Sequence, residues 1–264
     1  NLPVHVGSYR LAPDGKTVVV ALTVFPDCET LACTKARVDA RRANQVSAVT
    51  FEKLPLFIWD DWQAGERAQL FALKLNPAGI AAHEPIRLMK DFDAEAPDQP
   101  FGDDADYAVT SREVIFSALE PGLPWGDTQR YRLFAAPLDG SRAPRPLPLD
   151  PDGTFAKPTL SPDGGRLAFL AAKAGRWDIH ATVMVRDLRT GAVAAANSGF
   201  DRSAETIRWS GDGRTIYATM ADLGRTRLFA IDPASGTVKP VTREGTVTAL
   251  AAAADRVVVV RDGM

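Results

Sequence analysis

The chain is patterned in short apolar runs that follow a recurring polar turn. Leu11-Ala12-Pro13-Asp14-Gly15-Lys16 leads into Thr17-Val18-Val19-Val20-Ala21-Leu22, and Leu160-Ser161-Pro162-Asp163-Gly164-Gly165 leads into Arg166-Leu167-Ala168-Phe169-Leu170. A third copy, Trp209-Ser210-Gly211-Asp212-Gly213-Arg214, leads into Thr215-Ile216-Tyr217-Ala218. In the first two, proline sets φ at the first corner; in all three, Asp accepts a local backbone hydrogen bond and Gly takes the φ > 0 corner. With β-rich stretches after each turn, the pattern predicts hairpins.

The spacing organises these hairpins into a repeat. From Ser161 to Ser210 is 49 residues, and from Ala12 to Ser161 is 149, close to three such steps. A weaker copy at 108–117 lies between them, and a last one follows from Leu250. Third strands end in an Asp or Pro-Leu turn, as in Arg132–Gly140 and Arg227–Asp232, and a short fourth strand such as Val238–Thr242 follows. A period of about 40 to 50 residues with four strands predicts an all-β fold, a β-propeller of four-stranded blades. Six units are expected, near 8–50, 51–92, 105–149, 156–198, 204–243 and 246 onward. Residues 1–264 then form one propeller domain that is incomplete at its C-terminal end, part of a seven- or eight-bladed ring.

Two segments interrupt the repeat. Residues 28–46 are expected as a helical insertion, with good helix formers over Thr34–Ala43 and Thr34 as N-cap. Asp91–Tyr107 holds seven acids and no base, and is expected to be a solvated loop. Insertions on a rigid scaffold often carry function.

Composition narrows the function. With 31 basic and 33 acidic side chains and a net charge of -2, nothing attracts a polyanion, so nucleic acid is not expected as a partner. No apolar run approaches the roughly 18 residues of a membrane span. Asn1 stands first with neither Met nor a signal-like stretch, so either a targeting segment has been removed or the chain is part of a longer protein. The two cysteines, Cys28 and Cys33, can be a disulfide, two free thiols or half a metal site. The histidines His5, His83 and His180 are too scattered to complete the last. A disulfide is expected, which points to an oxidising compartment.

No catalytic constellation emerges. Gly-x-Ser-x-Gly, the P-loop and the dinucleotide fingerprint are all missing, and Pro85 breaks the helix that His83-Glu84 would need to bind zinc. No cofactor is expected. The most unusual cluster is Trp59-Asp60-Asp61-Trp62. It reads either as tryptophans packing between blades or as a cavity wall whose carboxylates hold a peptide amine.

These features resemble the N-terminal propeller of the prolyl oligopeptidase family, in its dipeptidyl-peptidase-V and acylaminoacyl-peptidase branch. The Ser-Pro-Asp-Gly blades, Phe25–Thr34, and Trp59-Asp60-Asp61-Trp62 followed by Gly65 and Gln69-Leu70-Phe71 carry the resemblance; Ile58 stands where that family often has histidine. The resemblance implies a periplasmic or secreted serine exopeptidase whose C-terminal α/β-hydrolase domain carries Ser, Asp and His, none of them in this chain. It also implies short peptides as substrates, with the propeller gating their entry and its acids anchoring the free amine. An oligomer is compatible with this reading. The competing class is a non-enzymatic TolB-like propeller acting as a protein-interaction scaffold.

Overall fold

The computed structural model describes residues 2–46, 57–58, 61–62, 65–79, 81, 84–99, 102–121, 130–175, 180–253 and 256–263. The first sheet contains β1 (Val6–Leu11), β2 (Thr17–Val24), β5 (Arg67–Lys74) and β6 (Ile86–Arg87) in that order. Between β2 and β5 lie helix α1 (Leu31–Ala43) and a two-stranded ribbon of β3 (Phe57–Ile58) and β4 (Asp61–Trp62). The second sheet is β7 (Tyr107–Val109), β8 (Glu113–Leu119), β9 (Tyr131–Pro137) and β10 (Arg145–Pro146). The third is β11 (Gly153–Leu160), β12 (Arg166–Lys173), β13 (Thr182–Asp187) and β14 (Val193–Ala195). The fourth is β15 (Ala204–Trp209), β16 (Ile216–Asp222), β17 (Arg225–Asp232) and β18 (Thr237–Pro240). Last comes a two-stranded sheet of β19 (Thr246–Ala253) and β20 (Arg256–Asp262).

Consecutive strands pair as neighbours, which is the blade pattern of a β-propeller. The count of repeats differs from the expected six. Residues 8–50 and 51–92 are one blade, because β5 pairs antiparallel with β2 from Thr17↔Lys74 to Val24↔Arg67. The chain leaves the sheet after its second strand and returns as the third. Among the described residues there are four four-stranded blades and a two-stranded fifth.

The repeated turns behave as their residue types dictate. Asp14 Oδ1 accepts from the Lys16 and Thr17 amides at 2.8 and 3.0 Å, and Gly15 sits at φ 64°. Asp163 and Asp212 accept from Gly165 and Arg214, each at 3.0 Å. Ser161 and Ser210 add a bond that the turn pattern alone did not reveal: each Oγ accepts the amide five residues on, at 2.9 Å.

Chain packing forms two compact units, 1–114 with 135–145 and 115–134 with 146–264. In the first, Val20, Leu22, Val24, Phe71 and Leu73 form a core onto which Leu31 of α1 packs. In the second, Ile207, Trp209, Ile216, Met220 and Ile231 are among the side chains that fuse the third and fourth blades into one core. Trp209 Nε1 donates to the Thr159 carbonyl at 3.2 Å, and the Arg166 guanidinium lies 4.7 Å from the Trp209 ring while donating to Gly213 O at 2.6 Å. These contacts tie the first strands of the third and fourth blades to each other and the start of β12 to the turn of the fourth blade.

The first strands share a further feature. In β1, β11, β15 and β19 the register with the second strand slips, at Val6/Ser8, Ala156/Thr159, Ala204/Thr206 and Val247/Ala249. In each slip the first strand carries one residue more than its partner, a β-bulge that bends the strand. Pro158, which has no N–H to donate, falls at such a bulge.

Backbone strain is clearest at Leu223, which turns the β16–β17 hairpin at φ 50° with its side chain 83% exposed, followed by Gly224 at φ 78°. Left-handed backbone disfavours leucine, whereas Asn-Gly is the preferred pair for such a hairpin turn. Leu223→Asn is therefore expected to raise stability by about 1 kcal/mol. Urea unfolding checks this, and an unchanged or lower midpoint contradicts it.

Candidate functional site

Antiparallel order in the first blade brings the start of β1, the end of β2, the start of β5 and the chain leaving β6 to one end of the sheet. The whole insertion between β2 and β5 emerges there. Its root is Phe25, 3% exposed. The Arg37 and Arg41 guanidinium groups lie 4.5 and 5.3 Å from its ring centre. Arg37 also forks onto Asp27 with two 2.8 Å bonds, which holds the Asp27 carboxyl below its ordinary value. Arg41 pairs with Glu66.

Helix α1 starts earlier than the sequence suggests. Thr30, not Thr34, is the N-cap, its side chain accepting from the Cys33 amide at 3.2 Å. Thr34 lies in the first turn, 1% exposed, and its hydroxyl accepts from the Phe25 amide at 3.3 Å. Arg41 and Arg42 in the last turn suit the helix dipole. Cys28 and Cys33 are joined, with Cα atoms 5.6 Å apart. The Cys28 carbonyl is tied back to the blade by Arg87 Nη1 at 3.3 Å, and Arg87 Nε donates to Gln69 Oε1 at 2.7 Å. Burial pushes the Arg87 pKa below its usual value, with Asp91 and Asp27 opposing the shift.

Of the sequence-predicted peptide site, Trp59 and Asp60 lie outside the described residues. The flanking backbone pairs Phe57 with Trp62 and Ile58 with Asp61. His83 also lies outside the described residues.

The acid-rich loop is not simply solvated. Glu95, 9% exposed, accepts from the Ala68 amide at 3.0 Å. Asp103 and Asp106 cap the turn at Asp104–Asp106 reciprocally: the Asp103 amide donates to Asp106 at 3.0 Å and the Ala105 amide to Asp103 at 2.7 Å. Asp104 pairs with Arg10 at 3.3 Å. These acids fasten the loop to the first blade. Among the described residues no three His, Cys, Asp or Glu side chains cluster to hold a metal ion.

Sealing the loop leaves a cavity of about 240 Å³ at the same end of the blade. His5, Ser8, Thr23 and Gln99 supply its polar lining, and buried Ala21 and Leu22 contribute apolar surface. Gly7, the bulge residue of β1, also lines it. The sequence reading missed this group because four separate segments supply it; the isolated glycine in a strand pattern was the one local signal of a bulge. Below the cavity, the Ser8 hydroxyl and the Tyr107 phenol are 3.0 Å apart. Tyr107 is fully buried, and burial pushes its pKa up to about 12. The arrangement is equipped for binding and lacks a nucleophile paired with a base.

Two predictions follow from this geometry. Thiol titration of the denatured, unreduced chain is expected to find no free thiol, and two after reduction; free thiols before reduction contradict the disulfide. Because the Tyr107 pKa is raised in the folded state, its stabilising contribution is complete below about pH 10 and lost as pH rises towards about 12. That loss is about 2 to 3 kcal/mol. Tyr107→Phe should remove it, as urea midpoints measured from pH 8 to 12 will show; an identical alkaline decline in the variant contradicts the assignment.

No family model matches the chain. Dipeptidyl-peptidase 5 of Trichophyton tonsurans is 33% identical to it over 150 residues, covering 52% of this chain and 21% of the relative. The protein of the same name from Arthroderma otae is 32% identical over the same shares. The chain thus spans about a fifth of the length of the curated relatives it matches. Among solved structures, the acylaminoacyl peptidase of Pyrococcus horikoshii superposes with a TM-score of 0.61 at 11% identity, covering 97% of this chain and 35% of that one. A TolB of Agrobacterium tumefaciens superposes at 0.58 and 14% identity, covering 99% and 71%. At such identities these two speak for the fold, a β-propeller of four-stranded blades. The chain is thus similar to the β-propeller domain of the prolyl oligopeptidase family, on its dipeptidyl-peptidase side.

Proposed function

We infer that this propeller binds short peptides and gates their access to a serine exopeptidase domain of the same protein. The observation that carries this reading is the sequence kinship with the dipeptidyl-peptidase 5 proteins. The kin exceed this chain in length, so the α/β-hydrolase partner belongs to the proposal. So does completion of the β19–β20 sheet by further strands. Val260 on β20 is 60% exposed, whereas Thr219, at the matching position of the fourth blade, is 5% exposed. The Cys28–Cys33 disulfide supports a periplasmic or secreted setting.

Within this reading, Trp59, Asp60, Asp61 and Trp62 form the anchor for the peptide's amino end. Tryptophan surface excludes water, which strengthens a carboxylate–ammonium attraction over an exposed pair. The acid-rich loop also carries carboxylates, but Glu95, Asp103, Asp104 and Asp106 are engaged in fastening it. The scaffold reading keeps one support, the TolB superposition over 99% of this chain.

The 264-residue chain alone is expected to hydrolyse no aminoacyl or dipeptidyl substrate; turnover that survives repurification contradicts that. In the full-length protein, Asp60→Asn and Asp61→Asn should be assayed on one peptide with a free and with an acylated amino end. Loss of the anchor is expected to lower kcat/KM for the free-amine form alone, by about 30- to 1000-fold, or roughly 2 to 4 kcal/mol. If neither change alters the ratio of the two activities more than a few-fold, the anchor lies elsewhere. If both activities fall together, the segment only supports the fold.

A further inference from the structure

The two ends of the Cys28–Cys33 disulfide are unlike. Cys28 is 4% exposed and ends a turn in which its amide donates to the Phe25 carbonyl at 3.0 Å. Cys33 is exposed, on the first turn of α1. Exchange requires a thiolate to attack one sulfur while the other departs, and access decides which is attacked. A thiolate arriving from solvent meets Cys33, so Cys28 is the sulfur that leaves.

The surrounding charge suits both departures that exchange with a dithiol requires. Arg87 Nη1 is 3.3 Å from the Cys28 carbonyl oxygen, which sets a cation beside the residue whose sulfur leaves first. Cys33 is the third residue of α1, whose first turn holds no acid. The positive end of the helix stabilises a thiolate there. Two carboxylates lie close by in the chain. Asp27 is taken up by the Arg37 fork, and Glu29 is exposed to solvent.

The pair also closes a joint. From α1 the covalent path runs through Cys33 to Cys28, whose carbonyl Arg87 ties to Gln69 on β5. The remaining ties of the helix are not covalent: Leu31 on the blade core, Thr34 on the Phe25 amide, Arg37 on Asp27 and Arg41 on Glu66. The ladder between β2 and β5 includes neither cysteine, so opening the bond leaves the sheet whole.

We propose that Cys28–Cys33 is an exchange-active disulfide, opened in the folded protein by a dithiol that attacks at Cys33, and that its opening loosens α1 from the first blade. In the first step a thiolate of the dithiol bonds to the Cys33 sulfur, and the Cys28 sulfur leaves with the bonding pair and takes up a proton. In the second, the dithiol's other thiolate attacks its own partner sulfur in that mixed disulfide, and Cys33 leaves as a thiolate that protonates in its turn. Two electrons and two protons thus pass from the dithiol to the two cysteines, and the dithiol ends as a disulfide. None of this depends on the peptide-binding reading.

The test follows reduction of the folded chain by dithiothreitol, with free thiols counted by alkylation and mass. Reduction is expected to run within about tenfold of its rate in concentrated urea, because Cys33 is already open to attack. Glutathione, which has a single thiol, should be trapped by acid quenching on Cys33. In the reduced chain the amides of Lys35–Arg41 are expected to exchange hydrogen at least about threefold faster, with those of Val19–Leu22 on β2 unchanged. Cys33→Ser, which cannot close the bond, should show the same fast exchange in α1 with no reductant added. Slower reduction than this in the folded chain, glutathione found on Cys28, or α1 exchange that ignores the redox state overturns the proposal. So does β2 exchange that rises together with that of α1, since opening would then unfold the blade.

Discussion

The middle strands of these blades are apolar on both faces, and the rest of the structure depends on that constraint. In β2, Val19, Val20, Ala21 and Leu22 are consecutive and all at most 5% exposed; in β12, Leu167, Ala168 and Phe169 are fully buried. Side chains alternate between the faces of a strand, so such runs leave no face for water. A sheet built this way cannot stand alone. It must be covered by another sheet on each side, which is why the sequence repeats and why the Trp209–Thr159 and Arg166–Gly213 bonds tie one blade to the next. Extra chain is then tolerated at the hairpin ends, where it disturbs no stacked face, and the long insertion of the first blade leaves from such an end.

What was legible in the sequence was local. Asp14, Asp163 and Asp212 accept the bonds that their turns require, and the following glycines take the positive φ expected of them. What was not legible was long-range. Strand β5 pairs with β2 across the insertion, and nothing in either run names the other as its partner, so one blade reads as two. The helix start was misread because Thr30 and Thr34 are equally good caps by type. The Cys28–Cys33 closure and the bond from the Phe25 amide draw Thr34 inside. The acidic loop illustrates the same limit, since only the fold shows that Glu95 and Asp106 are buried.

The candidate site divides along the same line. The Trp59–Trp62 cluster stood out because its four residues are contiguous. The cavity did not, since His5, Thr23 and Gln99 come from separate parts of the chain. The cavity lies at the end of the first blade from which the insertion leaves. The remaining blades supply regular stacking. The peptide-binding reading of these residues is a proposal that rests on the sequence kinship with dipeptidyl-peptidase 5.

The central claim, that the propeller serves a peptidase domain of its own protein, is tested most directly by reading the gene through the codon for Met264. The account predicts an open frame that completes the propeller and continues into an α/β-hydrolase domain, with Gly-x-Ser-x-Gly followed by Asp and then His. A stop at that point, or a continuation into a domain without a nucleophilic serine, would contradict it and favour the scaffold reading.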